Sequence, residues 1–263
     1  MKKKLKAKAH IPTQSYGYLE IKGSTDDLEQ IEEIYNRYAE SPIKFSNGVF
    51  KEVKAFTGET ILYNTKTHSY TDLEGNILIG GSTYKKSLEK PFDVELLSKK
   101  IAEKYGLDQQ LVKNMWSHNS RTSRSFGDAI HNAMEQWFKF RGFEKQLEDK
   151  DYHLPNHKWL RGMVLDFPLR EANILPEVLV SDVKNGRAGQ IDGLEIVDKE
   201  KKVANVHDWK SDGKIEKNVK GHFNQLSFYA HILIAFGWKI EKVVVWNYLD
   251  EWKSFESEVL ELK

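Results

Sequence analysis

The sequence predicts an α/β chain, a mixed central sheet flanked by helices, with a small N-terminal β-α appendage. Two patterns carry that prediction. From about residue 122 to residue 260 the apolar spacing runs helix, three strands, helix, strands, an order that suits one sheet held between helical layers. Ahead of it, residues 42–80 read as short β-runs separated by turn residues. With 263 residues, 40% hydrophobic content and 7 Trp, the chain is long enough to bury one main core.

The division expected is 1–41, a basic tail with a small β-α module, and 42–263, the main domain, whose first part (42–120) holds a β-meander and a helical segment. Met1-Lys2-Lys3-Lys4-Leu5-Lys6-Ala7-Lys8 reads as a solvated basic tail. Ser15 to Lys22 alternates like a strand, with Tyr16 and Tyr18 as aromatics that pack or stack on bases. Ser24-Thr25-Asp26-Asp27 caps a helix carrying Leu28, Ile31, Ile34, Tyr35 and Tyr38. After Pro42, the runs at Ile61-Leu62-Tyr63, Ser69-Tyr70 and Ile77-Leu78-Ile79, with Glu74-Gly75-Asn76 as a turn, predict the meander. Phe92 to Tyr105 predicts a helix ended by Gly106, and Gln109 to Trp116 another.

Further on, Phe126, Ile130, Ala133, Trp137 and Phe140 recur at three and four residues, a core-facing stripe of a helix from Thr122 to Arg141. His131 falls beside that stripe. Gly189 to Val197 and Lys201 to Asp208 predict two strands joined by the polar turn Asp198-Lys199-Glu200-Lys201, a hairpin that brings Asp192 beside Asp208. A strand's period of two puts Val206, Asp208 and Lys210 on one face and Trp209 on the other. Asn224, Gln225, Phe228, Tyr229, Ile232 and Phe236 follow helical spacing. The runs 242–249 and 254–260 extend the sheet.

An isolated Asp-x-Lys triplet is usually a surface ion pair, and Asp182-Val183-Lys184 and Asp212-Gly213-Lys214 match it too. Context distinguishes Asp208-Trp209-Lys210. Two carboxylates held close repel unless a cation neutralises them, and hard oxygen ligands prefer magnesium or manganese to zinc. An ammonium beside such an ion can orient or deprotonate a water, a contribution worth on the order of 100 to 10,000-fold in rate.

Read in order, Gly127-Asp128-Ala129-Ile130-His131, Pro176-Glu177-Val178-Leu179-Val180, Gly189-Gln190-Ile191-Asp192, Val206-His207-Asp208-Trp209-Lys210 and Gln225-Leu226-Ser227-Phe228-Tyr229-Ala230 resemble the motifs of the PD-(D/E)XK nucleases. The branch they resemble is the RecB-like one, which includes the RecB and AddB nuclease domains and the mitochondrial genome maintenance exonuclease. The resemblance covers roughly residues 110–250 and implies a restriction-endonuclease-like sheet. It implies that His131, Asp192, Asp208 and the backbone carbonyl of Trp209 hold Mg2+ or Mn2+, with Lys210 as the catalytic lysine. Glu177 is implied near the site, and Gln225 and Tyr229 as residues that position the lysine or the DNA backbone. Arg121, Arg124 and Trp116 are expected along the path of the strand.

The activity so implied is a metal-dependent deoxyribonuclease, acting as an exonuclease on single strands or DNA ends in recombination, repair or replication, with a helicase or recombinase as partner. The alternatives are a structure-selective endonuclease or resolvase, and a non-catalytic DNA-binding protein on a nuclease-like fold. The short N-terminal opening resembles those of phage proteins.

Composition sets bounds on this reading. Zero cysteines exclude a disulfide framework, a thiolate zinc site, a cysteine nucleophile and an iron-sulfur cluster. A net charge of +1 gives no global attraction to nucleic acid, so binding requires a local groove, with Lys113, Lys139, Arg187 and Lys214 as further candidates. No apolar run reaches the length of a membrane span or signal segment, and the expected location is a cytoplasm, bacterial or that of a phage-infected host.

Overall fold

The computed structural model describes residues 6–13, 17–24, 50–64, 67–140, 154–155 and 157–263. The chain divides into two units. The first contains an antiparallel hairpin of β1 (Lys6–Thr13) and β2 (Gly17–Ser24), in register from Lys6 opposite Ser24 to Thr13 opposite Gly17. The strand expected near residues 15–22 is present as β2. Lys6-Ala7-Lys8, expected as part of the basic tail, opens β1 and pairs with Lys22 to Ser24 of β2. The helix expected around Leu28 to Tyr38, Tyr16, and the boundary expected at residue 41 lie outside the described residues.

The second unit is built on a nine-stranded mixed sheet. Its first strands are β3 (Lys51–Lys54), which was not expected, and the runs expected as a meander, β4 (Thr60–Asn64), β5 (Ser69–Thr71) and β6 (Ile77–Gly80). Then follow the helices α1 (Gly81–Leu88), α2 (Val94–Tyr105), α3 (Gln109–Phe140) and α4 (Lys158–Leu165). The remaining strands are β7 (Ile174–Asp182), β8 (Arg187–Asp198), β9 (Val203–Lys210), β10 (Lys239–Tyr248) and β11 (Trp252–Ser257), with α5 (Ile215–Ala235) between β9 and β10. The sheet order is β11-β10-β9-β8-β6-β5-β4-β3, with β7 paired to β8.

Helix ends follow local chemistry. Asp93 accepts from the Leu96 amide at the start of α2, and Gly106, at φ +64, closes it in a left-handed conformation that a side chain would resist. Asp108 accepts from the Leu111 amide and starts α3. The two helices expected at 109–116 and 122–141 are one continuous helix of 32 residues, since no Gly or Pro interrupts residues 117–121. Phe138, not Phe140, completes its buried stripe, and Phe140 is exposed.

Two apolar layers cover the sheet. On one face α5 packs Leu226, Phe228, Tyr229, Ile232 and Leu233 against Val180, Ile191, Val206, Val243 and Val245. On the other, α3 and α4 pack Ile130, Met134, Trp137, Phe138, Met163 and Val164 against Ile174, Trp209, Val244 and Trp246. Val206 and Trp209 thus enter opposite layers, as the alternation of β9 requires. Among the described residues no helix is long and apolar enough to cross a membrane.

Candidate active site

The register of β8 creates the opening in which the acidic residues meet. Gly193 and Leu194 pair with β7 and also with β9, so those two strands occupy opposite edges of β8. Arg187 and Ala188 pair with β7 and also with β6, so β6 shares its edge with β9. Between the two, Gly189-Gln190-Ile191-Asp192 have no strand on that edge. The ladder there is replaced by side chains: the Trp209 amide donates to Asp192 Oδ2 at 3.1 Å, and the Tyr63 hydroxyl donates to Gln190 Oε1 at 2.8 Å.

Gly193 pairs with His207, so the next position along sets Asp192 beside Asp208, as the hairpin predicts. Lys210 Nζ donates to Asp208 Oδ1 at 2.6 Å and to the Trp209 carbonyl at 3.1 Å, and lies 3.7 Å from Asp192 Oδ2. Across from β9, His131 reaches in from α3. Its Nε2 is 2.8 Å from the Trp209 carbonyl oxygen, which can only accept, so Nε2 carries the proton and Nδ1 presents its lone pair 3.5 Å from Asp192 Oδ2. A histidine that donates one nitrogen to a backbone carbonyl and offers the other to a cluster of acids has the arrangement of a metal ligand.

Glu177 completes this group. His131, Glu177 and Asp192 each offer a ligand atom within 4.8 Å of the others. Glu177 holds φ at +53 in the middle of β7, opposite Asp192, a left-handed conformation that costs a non-glycine residue about 1–2 kcal/mol. Strain of this kind persists where the surrounding structure aims a side chain.

The electrostatics are those of acids crowded out of water. Burial, and then the Asp192 charge, push the Glu177 carboxyl up to about 8. Burial and the neighbouring Asp208 drive Asp192 well above the usual carboxylate range. Burial acts on Asp208 in the same sense, but the Lys210 ammonium beside it opposes burial, and Asp208 lies below the ordinary value. Burial alone would lower Lys210, and the two aspartates raise it instead. Burial, followed by the Lys210 charge, lowers His131 and keeps its imidazole neutral.

Gln225 and Tyr229 lie on the face of α5 turned toward the opening, and the Gln225 amide donates to the Tyr229 hydroxyl at 3.2 Å. The Tyr229 ring is clasped by two glycines: a Cβ added to Gly189 would stand 2.2 Å from its Cε1, and one added to Gly81 2.5 Å from the same atom. Gly127, by contrast, faces open space. Tyr63 and Tyr70 stack with ring centroids 5.2 Å apart, and burial raises both phenols, that of Tyr63 to about 12.

The structure thus brings together His131, Glu177, Asp192, Asp208, Trp209 and Lys210, with Gln225 and Tyr229 alongside. The Trp209 carbonyl is engaged by His131 and Lys210, and Glu177, rather than Asp208, groups with His131 and Asp192. Trp116 is half-buried against Phe92, ring centroids 5.5 Å apart, while Arg121 and Arg124 are exposed on α3. Of the other basic candidates, Lys113 pairs with Glu95, Lys139 with Glu135, and Arg187 lies over the Phe228 ring.

Sequence reasoning missed Tyr63, Tyr70, His222 and Lys85. His222 could have been found, since it stands three residues before Gln225 on the same helical face. Nothing in the spacing of α1 marks Lys85. No family model, no curated protein and no solved structure matches the chain, so the chemistry of this cluster carries the functional argument.

Proposed function

We propose that the chain is a divalent-metal-dependent deoxyribonuclease that hydrolyses phosphodiester bonds, as an exonuclease on single strands or DNA ends. The observation that supports this best is the convergence of His131, Glu177, Asp192 and Asp208 on one opening beside the Lys210 ammonium. The donor set fits Mg2+ or Mn2+: it is carboxylate oxygen with a single imidazole and no thiolate. Asp208 Oδ2, buried and without a hydrogen-bond partner, marks a further acceptor awaiting a cation or donor.

His131, Glu177 and Asp192 would hold the ion, with Asp208 at the flank. The chemistry it supplies there is polarisation of a phosphoryl oxygen and a lowered pKa for water. His131 is kept in the correct tautomer by the Trp209 carbonyl. Lys210, steered by Asp208, orients the attacking water and offsets negative charge growing on the phosphate. Trp209 fixes both partners through its backbone, its amide on Asp192 and its carbonyl on His131 and Lys210, while its indole is anchored in the core.

The test incubates end-labelled linear single-stranded and duplex DNA, and closed circular DNA, with Mg2+ or Mn2+. The native protein is expected to degrade the linear substrates and leave the circle intact. Lys210→Ala, with unchanged circular dichroism, is expected to lose activity by 100-fold or more, the order of a general acid-base contribution. Equal cleavage by both would remove Lys210 from the mechanism, and DNA binding without metal-dependent turnover would overturn the enzymatic reading.

A further inference from the structure

Lys85 sits on α1, far in sequence from the acidic cluster, yet its side chain is drawn inward to the flank of Asp208. Its Nζ is 3.4 Å from His222 Nδ1, and His222 Nδ1 is 3.5 Å from Asp208 Oδ2. An ammonium can only donate, so Nδ1 of His222 accepts and its Nε2 carries the proton. His222 is therefore a neutral donor; burial holds it down to about 4.

The inward path of Lys85 is built. Gly221 leaves the room for it, since a Cβ there would lie 3.0 Å from Lys85 Cε and from Glu89 Oε1. The helix that carries the lysine is fixed at two points: Gly81 lies against the Tyr229 ring, and Tyr84 stacks on Phe228 with centroids 5.1 Å apart. Glu89 stands at i+4, the usual partner for a surface lysine, but among the described residues no carboxylate lies within 4 Å of the Lys85 ammonium. Two of its three N–H groups, and the Nε2–H of His222, thus have no protein acceptor among the described residues. Asp208 divides the opening: Lys210 holds its Oδ1, and the His222 ring stands on the side of its Oδ2, with Nδ1 3.5 Å away.

A half-buried lysine ordinarily finds a carboxylate or turns to water. One that lacks a carboxylate within 4 Å, held beside a neutral donor at the rim of a site for phosphodiesters, suits an anion that arrives with the substrate. We propose that Lys85 and His222 form a backbone-phosphate subsite, gripping the phosphate of a single DNA strand next to the one that is cleaved. The proposal rests on the nuclease reading above. Lys85 supplies the charge and His222 a directed neutral hydrogen bond, and α1 thereby sets the register of the strand across Lys210.

The test titrates a fluorescent single-stranded oligonucleotide in Ca2+, in place of Mg2+, over a range of NaCl concentrations. Each phosphate neutralised on a single strand contributes about 0.7 to the slope of log K against log salt. Lys85→Gln is expected to make the slope shallower by about 0.7, and Lys85→Arg to restore it. His222→Gln is expected to weaken binding with the slope unchanged, because it removes no charge. Lys86→Gln, an exposed neighbour on α1, is expected to change neither. Native protein that binds and cleaves DNA while Lys85→Gln keeps the full slope would overturn the subsite and leave the nuclease reading standing. Native protein that binds no DNA would overturn both.

Discussion

Replacing Glu177 by Gln tests whether the acids of this site are held in tension that a cation relieves. The carboxyl titrates at about 8 in the folded protein, against 4.5 in an unfolded chain, for want of solvent and because Asp192 faces it. The fold opposes ionisation of such a group. Its stability contribution is complete below the unfolded value near 4.5 and is lost as pH rises through the folded value near 8. At 1.36 kcal/mol per unit, the interval corresponds to about 3–5 kcal/mol. Glutamine keeps the shape and the left-handed backbone but cannot ionise, so it isolates the charge.

Urea denaturation in EDTA at pH 5 and pH 9 reads the effect directly. The stability of the variant relative to the native protein is expected to rise by about 3–5 kcal/mol between the two pH values. Mn2+ at 100 times its Kd should then narrow the gap at pH 9 by up to about 2.7 kcal/mol, because it stabilises the native protein more than a variant that has lost one anionic ligand. A relative stability that is flat between pH 5 and pH 9 would refute the electrostatic account of Glu177. Equal stabilisation of both proteins by Mn2+ would remove it from the metal site.

Two further outcomes concern the frame around the cluster. Gly189→Ala drives a methyl to within 2.2 Å of the Tyr229 ring, which Gly81 blocks from retreating, so the variant is expected to lose about 1–3 kcal/mol in denaturation and to displace the Gln225 pair; an unchanged denaturation midpoint would show the ring free to move. His207→Leu leaves the buried Trp246 Nε1 without its acceptor at 3.0 Å and Glu195 without its donor at 3.1 Å. A cost of about 2–4 kcal/mol is expected, with activity per folded molecule largely kept, since alternation along β9 points His207 away from Asp208; a proportionate loss of turnover would contradict that separation.

What the sequence revealed follows from the range of each interaction. Asp208, Lys210 and Trp209 lie on one strand, and a turn of four polar residues brings in Asp192, so alternation and turn chemistry sufficed. His131 was legible because the helical stripe beside it was. Glu177 was located by motif order, but neither its left-handed backbone nor its place opposite Asp192 could be read, because both depend on the register of β7 against β8. The continuity of α3 escaped because polar residues 117–121 interrupt its apolar stripe without breaking its backbone. Lys85 was invisible for a different reason: only the meeting of α1 with α5 across Gly221 gives that lysine a role.

The cluster is best understood through its balance of charge. Three carboxylates, Glu177, Asp192 and Asp208, crowd one ammonium, and that ammonium is shared with the Trp209 carbonyl. One cation can neutralise one anion at contact distance, and Asp208 has it. The remaining two carboxyls respond as buried acids must, by retaining protons well above their ordinary range. Exchanging those two protons for one divalent ion leaves the total charge unchanged while satisfying the lone pairs of both carboxylates and the free Nδ1 of His131. The left-handed strain at Glu177 points the same way, because a carboxylate that served only packing would gain by relaxing to the extended backbone of its neighbours. Burial opposes the charge on Lys210, but contact with both aspartates outweighs it, so the group stays cationic through the exchange and can meet the negative charge that develops on a phosphate.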